Sequence, residues 1–275
     1  MNFRYAICNE TFEGWEHQRI CQTIGELGYQ GLELAPFTLA NRITELSAQR
    51  RHELRQQAEA CGIRLIGLHW LLARTTGLQV TAAEPAVRQA TAEYLVELAR
   101  ACADLGGDLL VFGSPAQRRV PANHSLQQAT DFAVDTLQRA ADGIAEVGVK
   151  LCLEPLSPPE ADFLNTAAQT DALIARLNHP AFRLHLDVKA MSTDDAPAPD
   201  LIRRHRSTLQ HFHANDPNLR GPGFGDTDFV PIFAALKDIA YQGWVSVEVF
   251  DYSPDPLTIA RESLRYMREC AAQLA

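Results

Sequence analysis

The sequence predicts an α/β protein of the (β/α)₈ TIM-barrel class, a single domain over residues 1–275. Short apolar runs alternate eight times with segments of helical spacing, and no linker or low-complexity stretch interrupts them. A doubly wound open sheet is the alternative. That fold is expected to show a glycine fingerprint after its first strand, and residues 6–11 (Ala-Ile-Cys-Asn-Glu-Thr) contain no glycine.

The first half of the chain contains four of the predicted strand–helix units. Pro85 opens the third helix, Gly106 follows its end, and Ser125 is in position to cap the fourth helix. The predicted strands are residues 3–8, 31–35, 64–70 and 108–113, and the predicted helices are residues 15–27, 45–60, 85–105 and 125–147.

In the second half, each predicted strand carries one side chain able to bind a metal at or near its end. The predicted strands are residues 150–154, 183–187, 210–213 and 244–248, and the predicted helices are residues 166–177, 199–207, 229–239 and 256–274. The four candidate ligands are Glu154, Asp187, His213 and Glu248.

This set of three carboxylates and one imidazole predicts a site for one divalent ion. A charge in a buried strand is costly unless it is paired or binds a metal, and barrel active sites lie at the C-terminal ends of the strands. The donor atoms favour Mn²⁺, followed by Mg²⁺, Co²⁺ or Zn²⁺. For a single carboxylate, a helix cap or salt bridge is the alternative; four candidates on successive strands favour the metal. His213 is the least well specified, because His211 points to the same face.

Composition limits the partners of the protein. The 25 basic and 34 acidic residues give a formal charge of −9, which opposes non-specific binding to nucleic acid. The six cysteines form no CxxC pair, so we expect free thiols in a reducing compartment. The N-terminus lacks the features of a signal peptide, and no apolar run approaches the ~18 residues of a membrane span. We therefore expect a soluble, cytoplasmic protein that does not contact membranes.

Several segments together carry a resemblance to a known family. They are residues 154–160 (Glu-Pro-Leu-Ser-Pro-Pro-Glu), 185–187 (His-Leu-Asp), 211–213 (His-Phe-His), 247–248 (Val-Glu) and the glycine-rich loop 220–229. The chain resembles the xylose-isomerase-like sugar isomerase/epimerase superfamily (AP endonuclease family 2), most closely its ketose 3-epimerases and hydroxypyruvate isomerases. The resemblance covers nearly the whole chain as a barrel, but its specific motifs lie between residues 154 and 248.

The resemblance implies a metal site and an acid/base pair. In the family, one divalent metal is bound at the positions of Glu154, Asp187, His213 and Glu248, and the two glutamates transfer protons. Glu160 matches a position that helps to hold the substrate. The resemblance also implies a small-molecule sugar or keto-acid substrate and a homodimer or homotetramer.

Two departures from the family affect the substrate. The ketose epimerases carry a histidine where this chain has Ala190 and an arginine where it has Leu219, although Arg220 is adjacent. Lys189 is a candidate replacement donor, with a solvated loop lysine as the alternative. We therefore include Lys189 and Arg220 among the candidate substrate-binding residues.

Three further residues and one loop lie where they can contribute to the site. His69 is a candidate to bind a substrate hydroxyl and Trp70 to pack on a sugar face; a buried, hydrogen-bonded core pair is the alternative. Glu33 is either the partner of a metal ligand or part of a salt bridge. The loop 220–229 is a candidate to cover the substrate or to bind a phosphate.

The predicted chemistry is proton transfer at a carbon next to a carbonyl. A metal bound to the substrate oxygens stabilises the enediolate, and carboxylates remove and return the proton. The predicted enzyme is therefore a metal-dependent sugar isomerase or epimerase. Alternatives are a dehydratase of the inosose type, an AP endonuclease, for which the sequence offers too few metal ligands, and a non-catalytic sugar-binding barrel, which the intact Glu154 and Glu248 oppose.

Overall fold

Eight parallel strands form a closed barrel in which each strand pairs with its neighbours in the sequence and the last pairs with the first. The computed structural model describes residues 3–274. The predicted (β/α)₈ fold is confirmed. The strands are β1 Arg4–Cys8, β2 Gly31–Leu34, β3 Arg64–Leu68, β4 Leu109–Phe112, β5 Lys150–Leu153, β6 Phe182–Asp187, β7 Leu209–Ala214 and β8 Trp244–Val247.

The helices surround the barrel. Pro85 stands at the start of the third helix, and Ser125 caps the fourth: its Oγ accepts a hydrogen bond from the Gln128 N–H (3.2 Å), while its own N–H donates to Gln128 Oε1 (2.8 Å). The helices are α1 His17–Leu27, α2 Ala48–Ala60, α3 Pro85–Asp104, α4 Leu126–Glu146, α5 Ala167–Leu177, α6 Val188–Met191, α7 Ala198–Arg204, α8 Val230–Asp238 and α9 Pro256–Ala272.

Differences from the predicted boundaries are small and have local causes. Helix α2 begins at Ala48 rather than Glu45, because Ser47 caps it and residues 43–45 form a separate short 3₁₀ turn. The structure adds the short helix α6, which the sequence analysis placed in a loop. The Asp187 side chain accepts a hydrogen bond from the Ala190 N–H and so caps this helix.

The interior of the barrel has an apolar floor towards the N-terminal ends of the strands and a polar upper part towards their C-terminal ends. Strand side chains alternate between the barrel interior and the helix layer, so the same interior face carries different residues at its two ends. The upper part holds buried charged and imidazole side chains, including Glu33, His211 and His213. The floor is the separate apolar cluster Ala6, Ile66, Leu109, Val111, Cys152 and Trp244.

The described part of the chain, residues 3–274, contains no helix that is long and apolar enough to cross a membrane.

Gly67 in β3 provides a test of the barrel packing. A Cβ added at this position would lie 2.3 Å from the Leu109 carbonyl oxygen and 2.4 Å from its Cδ1. We expect Gly67→Ala to lower the free energy of unfolding by about 1–3 kcal/mol, because a strand backbone cannot move aside as a side chain can. Urea denaturation measures the change. Gln127→Ala on the exposed face of α4 should stay within about 0.5 kcal/mol, and an equally small change for Gly67→Ala would contradict the packing.

Candidate metal centre and active site

The four predicted ligands come together at the C-terminal end of the barrel. Asp187 ends β6, His213 lies in β7, and Glu154 and Glu248 directly follow β5 and β8. All four side chains are buried. Donor atoms of Asp187, His213 and Glu248 lie within 4.8 Å of one another, and donor atoms of Glu154, His185 and Asp187 meet the same limit. The group therefore has the composition and spacing to hold a metal ion.

Two of the carboxylates in this group repel each other and their neighbour Glu248. Burial, together with the charges of Glu248 and Asp187, raises the pKa of Glu154 well above its usual range. Burial and the charge of Glu248 raise the pKa of Asp187 to about 6. Carboxylates this close cannot all ionise without a compensating positive charge, so a divalent cation would stabilise the cluster.

Glu248 has a different environment from Glu154. Burial acts to raise its pKa, but the adjacent imidazole of His213 and the indole of Trp70 outweigh burial and lower it. Glu248 Oε2 lies 3.1 Å from His213 Nδ1, and Trp70 Nε1 donates to Oε1 at 2.8 Å. The pKa of Glu248 is therefore lowered, whereas that of Glu154 is raised.

Glu33, fully buried in β2, orients the candidate imidazole ligand. Its Oε2 lies 3.1 Å from His213 Nε2 and 2.9 Å from His211 Nε2. Burial acts to raise the pKa of Glu33, but the two histidines outweigh burial and hold that pKa well below its usual range. A ring N–H that donates to a carboxylate fixes the histidine tautomer and leaves the other nitrogen to a metal. This arrangement directs Nδ1 of His213 towards Glu248, and it favours the interpretation of Glu33 as the partner of a ligand.

Asn215 orients Asp187, a role that the sequence analysis did not identify. Asn215 Nδ2 donates to Asp187 Oδ2 (2.6 Å), and Asn215 Oδ1 accepts from the Lys189 N–H (2.9 Å). Neither ring nitrogen of His185, two residues before Asp187, has a hydrogen-bond partner within residues 3–274. In the sequence, the only indication of this role is that Asn215 lies two residues after the candidate ligand His213.

The position of Glu154 depends on two residues that follow β4, and the sequence analysis missed both. A Cβ on Gly113 would lie 1.8 Å from Glu154 Oε2, so only glycine leaves room for this carboxylate. The guanidinium of Arg118 is fully buried and donates to the carbonyl oxygens of Glu154 (2.6 Å) and Phe112 (2.5 Å). These bonds hold the end of β5 against the end of β4.

Two of the candidate substrate residues form an ion pair near the ligands. Lys189 Nζ lies 2.6 Å from Glu160 Oε1, and Ser157 donates to Glu160 Oε2 at 2.6 Å. The ammonium also lies 4.2 Å from the centre of the Phe250 ring. The side chain of Lys189 is therefore fixed by these contacts, and Lys189 is not a solvated loop lysine.

The other three candidate substrate-binding residues differ from one another in their surroundings. His69 is fully buried and bonded to Glu10 (Nε2 to Oε2, 2.9 Å), which favours the alternative of a buried, hydrogen-bonded residue. Trp70 is half-buried and has a φ of +52°, a strained value for a bulky residue. Arg220 donates to the Ser253 carbonyl oxygen (3.0 Å) and thereby joins the loop after β7 to the loop after β8.

A cavity of about 770 Å³ lies beside these residues. Its walls come from the segments that follow β1, β2, β3, β4 and β8, and Trp70 connects it to the ligand group through the bond to Glu248. The site therefore has two parts, a buried carboxylate–imidazole group and an adjoining open cavity.

Comparisons with known proteins identify a family and several similar proteins. The model of the xylose isomerase-like TIM barrel family matches residues 21–270. D-psicose 3-epimerase of Agrobacterium fabrum is 28% identical and is aligned over 86% of this chain and 82% of its own. The 3-dehydro-D-guloside 4-epimerase of Escherichia coli is 26% identical over 90% and 92% of the two chains. A solved D-psicose 3-epimerase, crystallised with D-fructose, superposes with a TM-score of 0.86 at 23% identity over 98% and 99% of the chains.

The chain belongs to the xylose isomerase-like TIM barrel family. It is an enzyme of the isomerase/epimerase class.

Gly113→Ala tests whether the glycine makes room for Glu154. The added methyl group would displace the Glu154 carboxylate, so we expect Mn²⁺ affinity to fall roughly tenfold to a hundredfold. Isothermal titration calorimetry measures the affinity. Adding Glu154→Ala to Gly113→Ala should cause little further loss of Mn²⁺ affinity, because Gly113→Ala has already displaced the Glu154 carboxylate from the site. Additive losses, or wild-type affinity in Gly113→Ala, would contradict this account.

Proposed function

We propose that the protein is a divalent-metal-dependent epimerase of sugars that carry a ketone, acting through an enediolate. The observation that carries the proposal is that four buried side chains lie together at the ends of four neighbouring strands. They are Glu154, Asp187, His213 and Glu248. Such a group is costly without a cation and well suited to binding one. The names of the two relatives described above, both of them epimerases of sugars, support the reaction class.

The same four residues would hold the metal, with Mn²⁺ as the preferred ion. Three carboxylates and one imidazole suit a hard or borderline divalent ion. When bound, the ion supplies stabilisation of the negative charge that develops on the substrate oxygens. Glu33 and Asn215 keep the imidazole and one carboxylate in a fixed orientation, so little reorganisation accompanies binding.

Glu154 and Glu248 are the proposed proton-transfer residues. They extend from β5 and β8, the two outer strands of the ligand group, and therefore approach a bound substrate from different sides. Inversion at a carbon requires removal of a proton on one face and its return on the other. Glu248, whose pKa is lowered by the adjacent His213 imidazole, is the proposed base in one direction of the reaction.

Substrate hydroxyl groups would be held by the Glu160–Lys189 pair. Its carboxylate and ammonium offer an acceptor and a donor side by side, in the region where the family's histidine is replaced by Ala190. Trp70 would offer an aromatic face to a sugar ring. A role of His69 and Arg220 in substrate binding stays a prediction, as do the homo-oligomeric state and the cytoplasmic location.

Exchange of a substrate C–H for solvent deuterium tests the reaction. With Mn²⁺ added to metal-stripped protein, we expect exchange with at least one ketone-bearing sugar from a panel of ketoses, 3-dehydro-glycosides and keto acids. Glu154→Gln and Glu248→Gln should each reduce the exchange rate roughly a hundredfold to ten-thousandfold, because each removes a proton-transfer group. Nuclear magnetic resonance follows the exchange.

Glu26→Gln on the exposed face of α1 is the matched control and should exchange at the wild-type rate. Equal exchange with and without metal would contradict the metal dependence. Loss of water from a keto-cyclitol in place of exchange would identify a dehydratase instead.

Metal affinity should depend on pH. Burial and neighbouring charges raise the pKa of Glu154, and they raise that of Asp187 to about 6, so a metal that binds at low pH must displace protons. We expect Mn²⁺ affinity to fall as the pH is lowered from 7.5 to 5, by about tenfold per pH unit for each displaced proton.

Calorimetry in two buffers of different ionisation enthalpy measures the affinity and the protons released. We expect more protons to be released on binding at pH 5 than at pH 7.5. An Mn²⁺ affinity that does not change with pH, without proton release, would contradict this expectation.

A further inference from the structure

The cavity of about 770 Å³ beside the ligand group is larger than the proposed reaction requires. Pockets of roughly 300–1,000 Å³ accommodate drug-sized ligands, and a single hexose is smaller than these. Moreover, none of the four metal-ligand candidates lines the cavity. A hexose whose ketone lies at Glu154 and Glu248 would therefore leave this space unfilled.

Trp70 links the cavity to the reaction site. Its indole N–H donates to Glu248 Oε1 at 2.8 Å, while the residue also lines the cavity. Phe37 packs edge-to-face on its ring at 6.2 Å. A substrate that touches Trp70 at the reaction site can thus extend along the same wall into the cavity.

The cavity wall is rich in aromatic side chains, which favour the flat apolar faces of sugar and aryl rings. Tyr252, on the segment after β8, is 39% exposed and lines the cavity together with residues of the segments after β1 and β2. The aromatic residues in the wall are Phe12, Trp15, Phe37, Trp70 and Tyr252.

A buried acceptor without a partner lies in the same wall. Glu10 is 7% exposed, and its Oε2 contacts His69 Nε2 at 2.9 Å. Its other oxygen, Oε1, is buried and has no hydrogen-bond partner in residues 3–274. A buried acceptor of this kind is costly to leave unpaired, and a ligand hydroxyl would satisfy it.

The charges of the wall oppose a phosphate or other anionic ligand. The wall contains Glu13 and Glu16 in addition to Glu10. Its two arginines each have a partner: Arg50 pairs with Glu53 at 3.2 Å, and the Arg74 guanidinium lies 4.2 Å from the centre of the Phe37 ring in the same wall. The cavity therefore fits a neutral, hydroxyl-bearing or aromatic group.

We propose that this cavity is a subsite for the second ring of a keto-glycoside. The inference rests on the proposed function: the ring that carries the ketone occupies the metal centre, and its glycosidic substituent, a second sugar or an aryl group, occupies the cavity. Phe37 and Tyr252 enclose the substituent, and Glu10 accepts a hydrogen bond from it. Substrates with a second ring are preferred over free ketoses.

The test compares two substrates that differ only at the substituent. Methyl and phenyl 3-dehydro-D-glucosides, in both anomers, present the same ketone with and without a second ring. We expect kcat/KM for metal-dependent C–H exchange to be at least roughly tenfold higher for the phenyl glycoside. Phe37→Ala should reduce this phenyl-to-methyl ratio roughly threefold to tenfold, because it removes one wall of the subsite.

Phe132→Ala is the matched control, since Phe132 is also half-buried and also lies beneath an arginine, at 5.0 Å from Arg88, but on the outer helix α4. In Phe132→Ala, the phenyl-to-methyl ratio of kcat/KM should equal that of the wild type. A wild-type ratio near one, or equal ratios in wild type and Phe37→Ala, would overturn the subsite while the proposed function stands.

Quenching of tryptophan fluorescence by the unreactive phenyl D-glucosides separates the subsite from the reaction, because Trp15 and Trp70 line the cavity. Binding that weakens in Phe37→Ala supports the subsite. If no sugar undergoes metal-dependent exchange, the proposed function fails, and the absence of quenching would then overturn the subsite as well.

Discussion

Three carboxylates buried beside one another at one end of the barrel form the constraint on which the rest of the structure depends. Burial and mutual repulsion raise the pKa of Glu154 and bring that of Asp187 to about 6, while the neighbouring imidazole of His213 lowers the pKa of Glu248. Like charges at this spacing are unfavourable in a low-dielectric interior unless a cation lies between them. The arrangement is thus understandable as a binding site, and stability alone does not explain it.

The surrounding residues serve to keep this unfavourable group in place. Gly113 leaves the volume that the Glu154 carboxylate occupies, and Asn215 fixes one oxygen of Asp187. Glu33, on the far side of the barrel axis from β6, holds His213 and His211 through one oxygen. Because each of these contacts joins residues on or next to different strands, the site is complete only in the closed barrel.

The sequence was sufficient for the fold and for the group of candidate ligands, but not for the contacts around them. Strand periodicity and the position of Glu154, Asp187, His213 and Glu248 at strand ends follow from local patterns. The role of Gly113 does not, because it depends on how close β4 and β5 approach. The pair of Glu10 and His69 likewise joins residues 59 positions apart, and no local pattern indicates that both are buried.

Anomalous diffraction from crystals grown with Mn²⁺ tests the central claim most directly, because it locates the ion without reference to activity. The account predicts one strong manganese peak at the C-terminal end of the barrel, within about 2.0–2.4 Å of oxygens of Glu154, Asp187 and Glu248 and of Nδ1 of His213. The absence of a peak there at saturating Mn²⁺, or a peak bound only through other residues, would contradict the account.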